Sequence, residues 1–221
     1  MSIIGVVGGT GSLGGALAGR WAKAGHTVLI GSRSAENAAK YAAELGERVG
    51  AKLEGCTNLE AAQRADIVVN AVPFAAQEER LTEIRDAVQG KIVVETAVPL
   101  MPPRVMRVQL PAEGSAAQRA QAILGPDVKL VSAFHNVAAE KLATAEAIEC
   151  DVFVFADEVA PRARVVKLVA DLGLRGIEAG SLANSAAAEA LTSVLIFVNK
   201  TYQVPGSGIT ITGKLTPPNR A

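Results

Sequence analysis

The chain is poor in aromatic residues, histidine and cysteine, and carries no excess of either charge. Aromatics make up 4% of its 221 residues, and 22 basic side chains balance 22 acidic ones. A neutral chain with few rings lacks the cationic, ring-lined surface that nucleic acids select, so neither nucleic acid nor a membrane surface is an expected partner. Cys56 and Cys150 lie far apart without a CxxC pairing, which argues against a disulfide framework or a zinc centre. There is also no Ser-x-x-x-Lys-Tyr dyad, no nucleophile elbow and no cluster of metal ligands. No uninterrupted apolar run reaches 18 residues and no leader-like segment opens the chain, so a soluble, cytoplasmic protein is expected.

What is present is concentrated at the start. Ile3-Ile4-Gly5-Val6-Val7 runs into Gly9-x-Gly11-x-x-Gly14, followed by Ala16, Leu17, Ala18, Trp21 and Ala22 at helical spacing. A buried strand, a glycine turn and a helix in that order suit a dinucleotide pyrophosphate. The first glycine tightens the turn, the second admits the phosphates to the backbone, and the third lets helix and strand touch. Gly9, Thr10, Gly11, Ser12 and Leu13 are the expected cofactor-binding residues.

The second strand, Thr27 onward, ends in Ser32-Arg33-Ser34, with no acid before Glu36. NAD-preferring sites place a carboxylate at that point to bind the ribose 2′-hydroxyl. A guanidinium flanked by hydroxyls suits the 2′-phosphate of NADP instead. The alternative for Arg33 is a solvated strand end.

Strand and helix patterns alternate along the chain, predicting an α/β, Rossmann-type, doubly wound and mainly parallel sheet with an appended C-terminal helical and strand segment. The expected division is a NADP-binding part over 1–140 and a smaller part for substrate binding and dimerisation over 141–221, packed as one unit. Expected strands cover Ile67–Phe74, Lys91–Pro99, Val128–Ala133, Asp151–Phe155 and Arg175–Glu178. Expected helices cover Glu36–Gly46, Leu59–Arg64, Gln77–Val88, Ser115–Leu124, Pro161–Leu172 and Leu182–Tyr202. The proline-bearing stretch Leu100–Gly114 is expected to cross the sheet's edge without regular structure, and Gly208–Gly213 shows strand alternation.

Ligands of such sheets bind beyond the carboxyl ends of the strands. Val72, Pro73, Phe74 and Ala97 would then wall the nicotinamide, and Phe134-His135-Asn136-Val137 would meet the substrate. His135 reads either as a catalytic donor that polarises or orients the substrate, or as a strand-end histidine bonded to backbone.

The motifs together resemble the NADPH-dependent reductases of coenzyme F420, an 8-hydroxy-5-deazaflavin. The matching blocks are Gly8-Gly9-Thr10-Gly11-x-Leu13-Gly14, Gly31-Ser32-Arg33, Val72-Pro73-Phe74, Gly114-Ser115-Ala116-Ala117 and Ser132-Ala133-Phe134-His135-Asn136-Val137. They continue through Cys150-Asp151-Val152, Leu182-Ala183-Asn184-Ser185, Glu189-x-Leu191-Thr192 and Gly208-Ile209-x-Ile211-Thr212-Gly213. The resemblance implies hydride transfer between the nicotinamide and the deazaflavin, a small-molecule redox substrate. It implies Phe74, Asn136, Val137 and Ile209 at the deazaflavin, His135 beside it, and a homodimer formed through the Leu182–Tyr202 helix. Asn37 stands where relatives often carry lysine, so the NADP preference rests more on Arg33. Ser181 and Ala186 also depart from the family's pattern. Two other readings stay open: a reductase of another acceptor (a flavin, a quinone-like ring or a small carbonyl compound), and a non-catalytic NADP-binding sensor.

Overall fold

A computed structural model describes residues 1–144, 146–216 and 218. Six parallel strands form one sheet: β1 (Ile3–Val7), β2 (Thr27–Ser32), β3 (Glu54–Thr57), β4 (Ile67–Asn70), β5 (Ile92–Glu95) and β6 (Lys129–Ser132). Their spatial order is β3-β2-β1-β4-β5-β6, so the direction of winding reverses between β1 and β4. That reversal leaves a crevice at the strands' carboxyl ends. Between the strands run α1 (Ser12–Lys23), α2 (Ala35–Val49), α3 (Asn58–Arg64), α4 (Gln77–Ile84) and α5 (Ala116–Leu124). After β6 come the short α6 (Ala139–Leu142), β7 (Asp151–Val154), α7 (Val159–Ala170), β8 (Arg175–Glu178) and α8 (Ser185–Tyr202).

The inward residues of the strands alternate between two cores. Ile4, Val6, Ile30, Val69, Val94 and Val131 pack with α1, α2 and α7 on one face. Val7, Val68, Val93 and Leu130 pack with α3, α4 and α5 on the other. The first of these cores continues without a break into Leu142, Val152, Val165 and Leu172. Trp21, fully buried, donates its indole N–H to the Leu168 carbonyl at 3.0 Å, tying α1 to α7. β7 and β8 form a separate parallel pair, and an antiparallel bridge between Ser132 and Phe155 joins it to the end of β6.

Several expected elements shift. The strand expected over Ile67–Phe74 stops at Asn70, and that over Lys91–Pro99 stops at Glu95. Each segment ends in Val-Pro, and proline cannot donate to a ladder. β3 falls on a segment with no strand signal, because Glu54-Gly55-Cys56-Thr57 lacks an apolar alternation. It is an edge strand held by packing: a Cβ on Gly55 would lie 2.1 Å from the Ala38 carbonyl carbon, so α2 rests directly on its backbone. Gly208–Gly213 is not a strand. It follows β7 through single bonds, from Asp151 N–H to the Ile209 carbonyl (2.7 Å) and from Ile211 N–H to Asp151 Oδ2 (2.6 Å). A side chain takes the place of the second rung, so no ladder propagates.

The helix expected over Leu182–Tyr202 begins with a 3₁₀ turn, Leu182–Asn184, before α8. Its length and mean hydropathy of 1.3 would suffice to cross a bilayer. It instead turns Ser185, Ala188, Glu189, Ser193 and Leu195 into the protein.

Candidate active site

The loop after β1 is built from glycines for steric reasons visible atom by atom. Gly8 has φ of +73°, and Gly9 N–H donates to the Val6 and Gly31 carbonyls at 3.1 and 2.9 Å. A Cβ on Gly9 would come within 2.8 Å of the Val6 oxygen, and one on Gly14 within 2.7 Å of the Gly8 oxygen. Buried Asn58, at the start of α3, accepts the Gly8 N–H at 3.1 Å and fixes the loop from below. Thr10, Gly11 and Ser12 are exposed and Leu13 is half-buried. Gly11 caps α1 without any side-chain hydrogen bond. The helix therefore presents free N–H groups and its positive end to solvent, an arrangement that fits a pyrophosphate.

At the end of β2, Ser32 is half-buried and Arg33 exposed, with no hydrogen bond or ion pair holding its guanidinium among the described residues. Ser34 has a structural role as well: its Oγ accepts Asn37 N–H at 3.2 Å and caps α2. Arg33 is thus an exposed cation at the end of β2, unpaired among the described residues, and could hold an anionic group there.

Because all six strands are parallel, the ends of β4, β5 and β6 open on the same edge as the glycine loop. Val72 and Ala97 are buried there, and Pro73 is exposed. The chain leaves β6 through Phe134, a non-glycine residue at φ +70°, whose ring meets Trp21 edge-on at 5.9 Å. Such left-handed strain persists where surrounding contacts enforce it. It turns His135 back toward its own strand, where Nε2 lies 2.8 Å from Ser132 Oγ. Burial pushes the His135 pKa down to about 4, so the imidazole is neutral at physiological pH. Thr192 Oγ1 donates to the His135 carbonyl at 2.9 Å, and Asn136 Nδ2 donates to the Ala188 carbonyl at 3.0 Å. α8 thus fixes the whole segment.

His135, Asn136 and Val137 line a cavity of about 740 Å³, within the size range of cofactor pockets. Leu100, which follows the Ala97–Pro99 strand end expected to wall the nicotinamide, also lines it, together with Lys141, Leu195 and Ile196, for which the sequence carries no signal. Two expected contacts stand apart from its lining. Phe74 lies under the Arg119 guanidinium, 5.1 Å from ring centre to Cζ, and Ile209 is tied to β7 through its backbone. Among the described residues, no group of three or more His, Cys, Asp or Glu side chains could hold a metal ion.

Two carboxylates, Glu95 and Glu189, are buried. Glu95 ends β5, where Oε1 accepts Ala97 N–H at 2.8 Å and Oε2 accepts Asn70 Nδ2 at 2.9 Å. Glu189 on α8 accepts the first two N–H groups of α5, from Ala116 at 2.6 Å and Ala117 at 3.2 Å. Desolvation dominates over these bonds and raises both pKa values to about 7, with the nearby charge of Glu95 adding to the rise at Glu189. The sequence signals are a lone acid closing the Ile-Val-Val-Glu run and, for Glu189, an acid inside an apolar helix that opens the Glu189-x-Leu191-Thr192 block without indicating that it is buried.

The fold and the uncapped glycine loop define a dinucleotide-binding protein of the Rossmann class. Residues 3–99 match the family model "NADP oxidoreductase coenzyme F420-dependent". The chain is 38% identical to the F420-dependent NADP reductase of Methanothermobacter thermautotrophicus, covering 95% of this chain and 94% of that protein. It is 35% identical to the enzyme of the same name from Methanocaldococcus jannaschii, over 95% of this chain and 97% of the relative. A crystal structure from Arthrobacter sp. FB24, provisionally assigned as an F420-dependent NADP reductase, aligns with a TM-score of 0.84 at 25% identity. That alignment covers 96% of this chain and all of the other. The chain belongs to the F420-dependent NADP reductase family.

Proposed function

We propose that this protein transfers hydride between NADP(H) and the deazaflavin coenzyme F420, with Gly9–Leu13 and Arg33 holding the nucleotide and the 740 Å³ cavity beside His135 holding the deazaflavin. When bound, the two rings supply the hydride-donating and hydride-accepting carbons. The protein's share is to align them and exclude water. Val72, Pro73 and Ala97 wall the nicotinamide; Asn136, Val137 and Leu195 wall the deazaflavin.

The relatives named above support this choice of acceptor, and the buried His135, held 2.8 Å from Ser132 Oγ, is consistent with it. Burial holds the His135 pKa down to about 4, so its imidazole is not the charged proton donor that carbonyl reduction would ask of it at pH 7. In a ring-to-ring transfer the hydride passes between ring carbons and the one balancing proton can come from water at a ring nitrogen away from them, so the reacting carbons themselves need a shaped, apolar wall. Mixing the protein and NADPH with the deazaflavin, FMN or a panel of carbonyl compounds tests the assignment: the deazaflavin alone should lose its visible absorbance. Turnover of a carbonyl compound, or binding of NADPH without any turnover, would overturn it.

His135→Ala should lower turnover about tenfold through loosening of the cavity wall while leaving NADPH affinity within about twofold. The pH profile between 6 and 8 should be the same for both proteins. An unchanged rate would leave His135 a packing residue.

We further propose a cytoplasmic homodimer. Val194 and Phe197 on the outer face of α8 are 47% and 53% exposed, a pair of large apolar side chains that a second copy would cover. Light scattering should report a dimer for the parent chain and a monomer for Phe197→Glu; equal masses would remove this interface.

A further inference from the structure

We infer that Arg20, on the far turn of α1 from the nucleotide loop, is a positioning residue that sets the outer wall of the acceptor cavity. Among the described residues its guanidinium meets no carboxylate. Nε donates to the Leu142 carbonyl at 2.8 Å and Nη1 to that of Leu172 at 2.9 Å. Nη2 reaches the carbonyls of Thr144 at 2.8 Å, Glu146 at 3.2 Å and Lys141 at 3.5 Å. These acceptors lie at the end of α6 and just past the end of α7, where helices leave carbonyls unpaired and carry their negative pole.

The segment so held is weak by itself. α6 has four residues and no side-chain cap at its start, and only Leu142 in it is buried. A single uncapped turn is well below the length at which a helix persists alone. Yet it partitions two cavities: Ala139, Glu140 and Thr144 border the acceptor cavity on one side and a groove of about 760 Å³ along α1 on the other. Among the described residues, Arg20 is the α1 side chain that hydrogen-bonds this partition. Ser12, eight residues earlier on the same helix, stands at the phosphate end, about 12 Å away along the axis. One rigid rod therefore carries the nucleotide at one end and the acceptor's wall at the other, so the gap left for the second ring depends on Arg20.

The inference rests on the hydride-transfer reading of the cavity, and three measurements on the parent, Arg20→Met and Arg20→Lys proteins separate the two. Calorimetric NADPH affinity should stay within about twofold, because the glycine loop does not depend on Arg20. Amide exchange of residues 138–144 should accelerate about tenfold or more in Arg20→Met, as expected for loss of charge-assisted hydrogen bonds. The KM for the deazaflavin should rise about tenfold with a smaller change in kcat, and Arg20→Lys should recover part of both effects. Unchanged exchange overturns the proposal, and so does a parallel loss of NADPH and deazaflavin affinity. If the parent turns over no deazaflavin, the hydride-transfer reading fails, while the exchange comparison still decides whether Arg20 holds the wall. Should Arg20→Met not fold, Arg20→Lys faces the same two criteria.

Discussion

Arg33→Ala is expected to raise the KM for NADPH by about 30- to 100-fold while changing that for NADH by less than about threefold. The difference corresponds to roughly 2–3 kcal/mol, the scale of a charge-assisted contact to a phosphate dianion. Arg33 makes no ion pair or hydrogen bond among the described residues, so the effect falls on the bound nucleotide. Ser32 and the start of α2 retain some affinity for the phosphate, which is why the loss stays finite. Steady-state kinetics with the two nucleotides decide the matter. Equal changes would place the 2′-phosphate elsewhere.

The second large effect is on stability. Glu95 and Glu189 titrate at about 7 in the folded protein, against about 4.3 in an unfolded chain. Between those values the folded form keeps protons that the unfolded form releases. Stability is therefore complete below about pH 4.3 as far as this pair is concerned, and falls as pH rises through 7. Treated as one coupled unit, the pair should cost on the order of 3 kcal/mol by pH 8.5, lowering Tm by about 6–12 °C relative to pH 5.5. Glu95→Gln should flatten that slope. The amide can still accept Ala97 N–H, and Asn70, whose Oδ1 has no partner, can turn to accept the new donor. Melting curves across this range, with identical slopes for parent and variant, would refute the coupling.

The glycine loop, the Ser-Arg pair and the alternation of strand and helix were legible because each is local. A turn with φ of +73° at Gly8 and a cation at a strand end follow from neighbouring residues alone. The site's supports were not legible. Arg20 and Leu142 are 122 residues apart, and no periodicity links them. Glu95 and Glu189 look like isolated acids in apolar surroundings until the fold turns both inward. β3 escaped for the opposite reason: it has no signal of its own and exists because α2 and β2 flank it. Phe74 and Ile209 lie outside the lining of the 740 Å³ cavity, the first under the Arg119 guanidinium and the second bonded through its carbonyl to β7, contacts that no local pattern encodes.

The carboxylate of Glu189 that closes the first turn of α5 lies 73 residues further along the chain. At a synthesis rate of about 5–20 residues per second, α5 spends roughly 4–15 s outside or inside the ribosome before its closing group exists. During that interval two main-chain donors can be satisfied only by water, so the core beneath α5 stays unsealed. Nascent chains released early should for that reason be recognised by chaperones and proteases, and final consolidation awaits the arrival of the last helix.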